Sequence, residues 1–181
     1  MPASTPTPSS EPTGLPVSDQ GTKFAGTPES QTYYFKPTTV RLPSGSSAEI
    51  EPVGIDSAAV LAVPDDPAEV GWWTGGALAG EPFGSVVIAG HVDSSTSGLG
   101  ALAELRAASV GAEVVLGDGT GELRYRIVSV ENVPKARLAP DFEPFDQRVD
   151  HRLVLITCGG AYDRSAHSYA DNVVVVAEPI S

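Results

Sequence analysis

The sequence predicts a mainly β domain closed into a barrel, on three observations. Short apolar runs broken by Gly, Pro and Asp recur from Tyr33 to the C-terminal end of the chain. Two of them, Ser85–Gly90 and Leu153–Ile156, are apolar without alternation, which implies burial on both faces. Strands covered on both sides suit a closed or nearly closed barrel better than an open sandwich. Helical periodicity shows in one short segment only.

In chain order, Val40-Arg41-Leu42, Ala48–Val53 and Val60–Val63 are expected as short strands. The run Ser85-Val86-Val87-Ile88-Ala89-Gly90 is expected as a buried strand ending at His91. Leu99, Leu102 and Leu105 carry the helical spacing, over Leu99–Ala108. Glu113–Leu116 and Leu123–Val133 flank Gly117-Asp118-Gly119-Thr120-Gly121, a hairpin signal. Two β-branched strands, Arg152–Thr157 and Asn172–Ala177, close the chain. The sum is seven or eight strands with one or two short helices, and no internal repeat.

Residues 1–30 are mostly Pro, Ser, Thr and Gly with almost no large apolar side chains. Such a stretch cannot bury enough surface to offset its ordering entropy. It is expected to be a disordered, partly extended tether, leaving 31–181 as the folded domain. Met1 is followed by Pro2-Ala3-Ser4-Thr5-Pro6 rather than by a basic stretch and an apolar core, and no apolar run of membrane-spanning length follows. The composition favours a chain that starts beyond a removed membrane anchor.

A formal net charge of −12 over 181 residues argues against nucleic acid, and against docking on an anionic membrane surface. With one Cys there is no internal disulfide, and no zinc site of two or more thiolates. Nor do Asp65-Asp66 or Glu143 with Asp146 have calcium-ligand spacing; they are expected to be solvated loops. No cofactor or metal is expected.

The single thiol, Cys158, directly follows a buried strand and precedes Gly159-Gly160. A strand end is rigid, and two glycines leave backbone N–H groups open to an approaching peptide. His91 ends its own apolar strand in the same way. The two strand ends are expected to meet at one mouth of the barrel, where the imidazole holds the proton that the thiol loses and the leaving amine gains. A tetrahedral oxyanion would need donors or a positive charge. Arg164 and the backbone around Gly159 and Gly160 are the candidates. Asp93 reads as a turn cap or an orienter of the imidazole, and His151 and His167 read as surface residues.

Leu155-Ile156-Thr157-Cys158 resembles the TLxTC signature of sortases, and Ile88-Ala89-Gly90-His91 resembles the strand that delivers the sortase histidine. Leu153–Ala177, with Thr157-Cys158-Gly159-Gly160, Tyr169 and Asp171-Asn172-Val173-Val174-Val175, is most similar to the actinobacterial class F group. A looser likeness runs from Lys36, through Val70-Gly71-Trp72 and Gly111–Val115, to Glu178. The resemblance implies an eight-stranded sortase barrel and a transpeptidase that cleaves an LPXTG-like sorting signal. Cys158 would form a thioester, His91 would move the proton, and an amine of a peptidoglycan precursor would resolve the intermediate. Thr157, Gly159, Gly160 and Asn172 would line the substrate. The resemblance also implies an N-terminal membrane anchor and a place on the extracellular face of a bacterial membrane; a monomer is expected. One position departs from the pattern: where many sortases begin the last strand with Arg, this chain has Asn172, so the role passes to Arg164 or is shared with Asn172. Two other readings stay open: a cysteine hydrolase without transfer, and a binding barrel whose buried Cys is inert.

Overall fold

The computed structural model describes residues 33–56, 60–94, 98–137, 143–164 and 168–180. The expected tether, 1–30, and His167 lie outside them.

Alternating and continuous apolar runs form ten strands among the described residues: β1 Thr39–Arg41, β2 Ser47–Val53, β3 Val70–Trp73, β4 Ser85–Gly90, β5 Asp93–Ser94, β6 Gly98–Leu99, β7 Glu113–Gly117, β8 Glu122–Pro134, β9 Arg152–Asp163 and β10 Ser168–Pro179. Eight of them close a barrel in the order β1-β2-β3-β4-β9-β10-β8-β7, with β1 pairing back onto β7. β5 and β6 form a separate two-stranded sheet. Most neighbours are antiparallel; β2 with β3 and β4 with β9 are parallel. The predicted mainly β, eight-stranded barrel is therefore what the chain forms.

The barrel has two cores. Its interior holds Val86, Ile88, Leu153, Leu155, Val173 and Val175 with Val40, Leu116, Tyr125 and Ile127. A second cluster lies on the outer face of the same wall, where Val87, Ala89, Val154, Ile156, Val174 and Val133 are covered by Leu61, Val63, Trp73 and Phe145. Inner and outer clusters take alternate residues of β4, β9 and β10, as the strand period demands. This double burial is the physical reason these strands read as unbroken apolar runs.

The helix expected over Leu99–Ala108 does not form. Leu99 belongs to β6 and is 82% exposed. Only Ala103–Ala107 is helical, as a 3-10 turn that buries Leu105. Spacing by three fits that tighter helix, in which residues i and i+3 eclipse. Gly100 adds a second reason: a Cβ there would stand 2.2 Å from the His91 carbonyl oxygen, so the chain is pinned against the end of β4. The strand expected over Val60–Val63 is also absent. That segment makes a single bridge, Ile55 to Leu61, and crosses over the outer cluster. The hairpin at Gly117–Gly121 forms as expected, with Asp118 Oδ1 accepting from the backbone N–H groups of Thr120 and Gly121.

Candidate active site

β4 and β9 run parallel, with Ala89 beside Ile156. One step on, Thr157 faces the interior at 2% exposure, and its hydroxyl donates to the Gly90 carbonyl at 2.8 Å. His91 follows the end of β4 as Cys158 follows Thr157, in step with that register, and both line one cavity. Ala89 and Ile156, on the outer face, line it too. The two residues therefore line the same cavity on the outer face of that wall. The loops that cover the second core turn this part of the wall into a cavity.

The cavity holds about 550 Å³ and is lined by His91, Cys158, Asn172, Lys135 and the backbone near Gly90 and Thr157, with apolar walls from Ile55, Val60, Leu61, Val63, Trp73, Phe145 and Ile156. Trp73 and Phe145 meet edge to face, with centroids 5.8 Å apart, an arrangement aromatic quadrupoles favour. Cys158 is half-buried, so its sulfur belongs to the cavity wall rather than to the sealed core.

His91 Nε2 lies 3.0 Å from the Pro64 carbonyl oxygen. A carbonyl only accepts, so Nε2 carries the proton and donates. The lone pair of the neutral ring is then on Nδ1, and the ring orientation is fixed by the chain that enters β3. Pro64 thus holds the imidazole in place through its backbone carbonyl, a role with no local signature in the sequence. Asp93 does not take it: its carboxylate accepts from the Tyr169 hydroxyl, which raises the Tyr169 pKa, and the Tyr169 ring lies 5.6 Å from the Arg106 guanidinium.

The other expected residues fall in three places. Asn172 sits directly across from Cys158 in the β9–β10 ladder, is buried, and opens on the cavity. Gly159 and Gly160 lie in the ladder beyond the cavity lining. Gly159 pairs with Asp171, and Gly160, at φ +74°, stands with Ala161 against the single Ala170 in a bulge. Arg164 is exposed at the β9–β10 turn; at strand spacing it stands roughly 15–20 Å along the chain from Cys158, and it is not among the residues that line the cavity. Lys135, which does line it, went unnoticed in the sequence, where a single Lys after Pro134 looks like any surface residue. Only the β8–β10 pairing (Val133 to Asn172) reveals its position.

His151 was expected at the surface. It is half-buried instead, with Nε2 accepting from the Gly80 N–H at 3.2 Å and from the Tyr125 hydroxyl at 2.9 Å. Burial lowers its pKa. Glu143 and Asp146 are not bare loop charges either: Arg152 pairs with Glu143, and Arg148 with Asp146, whose pKa falls to about 2. Among the described residues, no group of three or more His, Cys, Asp or Glu side chains is placed to hold a metal ion. No helix among them is long and apolar enough to cross a membrane.

Barrel and cavity together define a β-barrel protein with a cysteine-lined cavity on its wall. The Sortase domain family model matches residues 49–180, and the chain belongs to the sortase family, whose members are cysteine transpeptidases. Solved structures agree on the fold. Sortase A from Corynebacterium diphtheriae, in a lid-mutant form, superposes with a TM-score of 0.59 at 17% identity, over 83% of this chain and 73% of that one. Sortase C-1 from Actinomyces oris gives 0.59 at 20% identity, over 79% and 72%. Sortase C1 from Streptococcus suis gives 0.60 at 16% identity, over 82% and 74%. No curated protein matches the chain in sequence.

Proposed function

We propose that this sortase cleaves an LPXTG-like sorting signal through a thioester at Cys158 and passes the acyl group to an amine of a peptidoglycan precursor. What supports the reading is that Cys158 on β9 and His91, just past the end of the parallel strand β4, line one apolar cavity. Transfer needs a thiolate nucleophile and a group that moves one proton between amines. The thiolate adds to the scissile carbonyl carbon. Imidazolium Nδ1–H protonates the leaving amine as the C–N bond breaks, and the thioester remains. Neutral Nδ1 then takes the proton of the incoming amine as the second C–N bond forms, the C–S bond breaks and Cys158 leaves as the thiolate. The Pro64 carbonyl keeps Nε2 engaged throughout, so the ring presents the same nitrogen in both halves.

The apolar walls favour transfer over hydrolysis, because they hold a peptide while leaving little room for ordered water at the thioester. The run Thr157-Cys158-Gly159-Gly160 with Asp171–Val175 supports a class F assignment within the family. Membership of the sortase family supports a place on the outer face of the membrane, held by an N-terminal anchor.

The test is to incubate the chain with an LPXTG-type peptide, with and without an amine nucleophile, and to resolve the products by mass spectrometry. The amine adduct is expected, and Cys158→Ala and His91→Ala should each abolish it while the thermal midpoint holds. Hydrolysed peptide alone, whatever the amine concentration, would point to a hydrolase. A native thiol that resists alkylation would point to a binding barrel.

A further inference from the structure

The acyl-transfer reading leaves one charge unanswered. When the Cys158 thiolate adds to a carbonyl carbon, the π pair moves onto oxygen, and that oxyanion needs a donor or a cation beside it. Among the described residues, Lys135 is the one Lys or Arg that lines the cavity. Arg152 is engaged with Glu143 and Ser85, and Arg106 lies over the Tyr169 ring.

The strand ladder explains why Lys135 arrives there. On the outer face, Cys158 of β9 stands across from Asn172 of β10, and Asn172 stands across from Val133 of β8. Lys135 follows Val133 by two residues, just past the end of β8. Val133 is thus two strand spacings, about 10 Å, to one side of Cys158, and Lys135 stands about 7 Å further along the strand direction, with a flexible four-carbon stem to reach back. Its ammonium donates to Ser168 Oγ at 2.5 Å, four residues before Asn172 on β10, so the stem swings off that hydroxyl to bring its N–H donors to the oxyanion. Asn172 lies between Lys135 and Cys158 with a carboxamide that donates but carries no charge.

We propose that Lys135 is the cation that stabilises the tetrahedral oxyanion formed on Cys158, with the Asn172 carboxamide as the neutral donor beside it. Lys135 keeps its proton throughout. The oxygen gains charge as the C–S bond forms and loses it when the carbonyl re-forms and the amine departs with the His91 proton. The proposal rests on the cysteine reading above.

The experiment measures kcat and KM for an LPXTG-type peptide and an amine on the full 181-residue chain, in wild type, Lys135→Met, Lys135→Arg and Cys158→Ala. Lys135→Met is expected to lower kcat by about 10²-fold, the usual cost of one oxyanion donor. KM should change less than about threefold, since the interaction exists only in the transition state. Lys135→Arg keeps the charge and is expected to restore at least about a tenth of wild-type kcat. Lys135 is exposed, so these variants should keep the wild-type thermal midpoint. A Lys135→Met kcat within threefold of wild type overturns the assignment. So does a loss carried by KM alone, or a Lys135→Arg variant as slow as Lys135→Met. A collapse of kcat in Arg164→Met with Lys135→Met unaffected would hand the role to Arg164. An active Cys158→Ala would sink the cysteine reading itself, whereas an inactive one beside a near-normal Lys135→Met sinks only the role of Lys135.

Discussion

Thr157→Val isolates the bond that sets the register of the site. Thr157 Oγ1 donates to the Gly90 carbonyl at 2.8 Å, inside the barrel, one residue before both Cys158 and His91. Valine keeps the β-branched shape, so the change is a hydroxyl for a methyl in a strand that tolerates either. The loss is one buried neutral hydrogen bond, together with a carbonyl deprived of that donor, about 1–3 kcal/mol. For a domain of this size each kcal/mol moves Tm by about 2–4 °C, so calorimetry should find a fall of about 3–10 °C. Turnover should fall as well, by about tenfold or more, because a small shift of two reacting groups is costly. Thr157→Ser retains the bond and serves as the control for the lost hydroxyl. A Thr157→Val midpoint within 1 °C of wild type, or a Thr157→Ser drop as large as that of Thr157→Val, would refute the reasoning.

Two further predictions concern the scaffold. Gly160→Ala should cost about 1–3 kcal/mol in urea unfolding, because φ +74° is unfavourable for a side chain. Its Cβ would also stand 2.4 Å from Asp171 Oδ2, so adding Asp171→Ala should recover the steric part and leave the backbone part; full recovery would count against the backbone cost. Burial lowers the His151 pKa below its ordinary 6.5, so near that pH the unfolded chain binds more protons than the folded one. Stability should therefore fall as pH drops through about 6.5 toward the folded value. His151→Gln should flatten the urea-midpoint slope over that window, and an unchanged slope would assign the effect to another group.

What could be read from the sequence follows from where a signal is local. β4, β9 and β10 were legible because both their faces are buried, and the β7–β8 hairpin because its turn must carry Gly and Asp. Cys158 and His91 were legible for a related reason: each sits where an unbroken apolar run stops. The segment Leu99–Ala108 misled because spacing by three is shared by a 3-10 turn, and the contact that stops the helix, Gly100 against His91, lies across the fold. The cover over the cavity was misread at Val60–Val63, whose apolar residues face a neighbouring wall without pairing as a strand. Pro64 and Lys135 were silent. One acts through a backbone carbonyl that every residue possesses. The other is placed only by the pairing of strands far apart in sequence.

Parallel pairing of β4 with β9 accounts for the site's placement. Thr157 and Gly90 are 67 residues apart in sequence, so the thiol and the imidazole meet only after the chain between them has left the wall and returned. That intervening chain includes β7 and β8, which close the barrel, and it ends β8 where Lys135 reaches the cavity. Closure and site assembly are thus one event. Side chains alternate with a period of two, so a slip of one residue along β9 would turn Cys158 into the interior and Thr157 out to the cavity. The Thr157 hydroxyl opposes that slip, since turning it out of the interior would take it from its Gly90 partner. The bond that stabilises the wall is therefore also what aims the thiol.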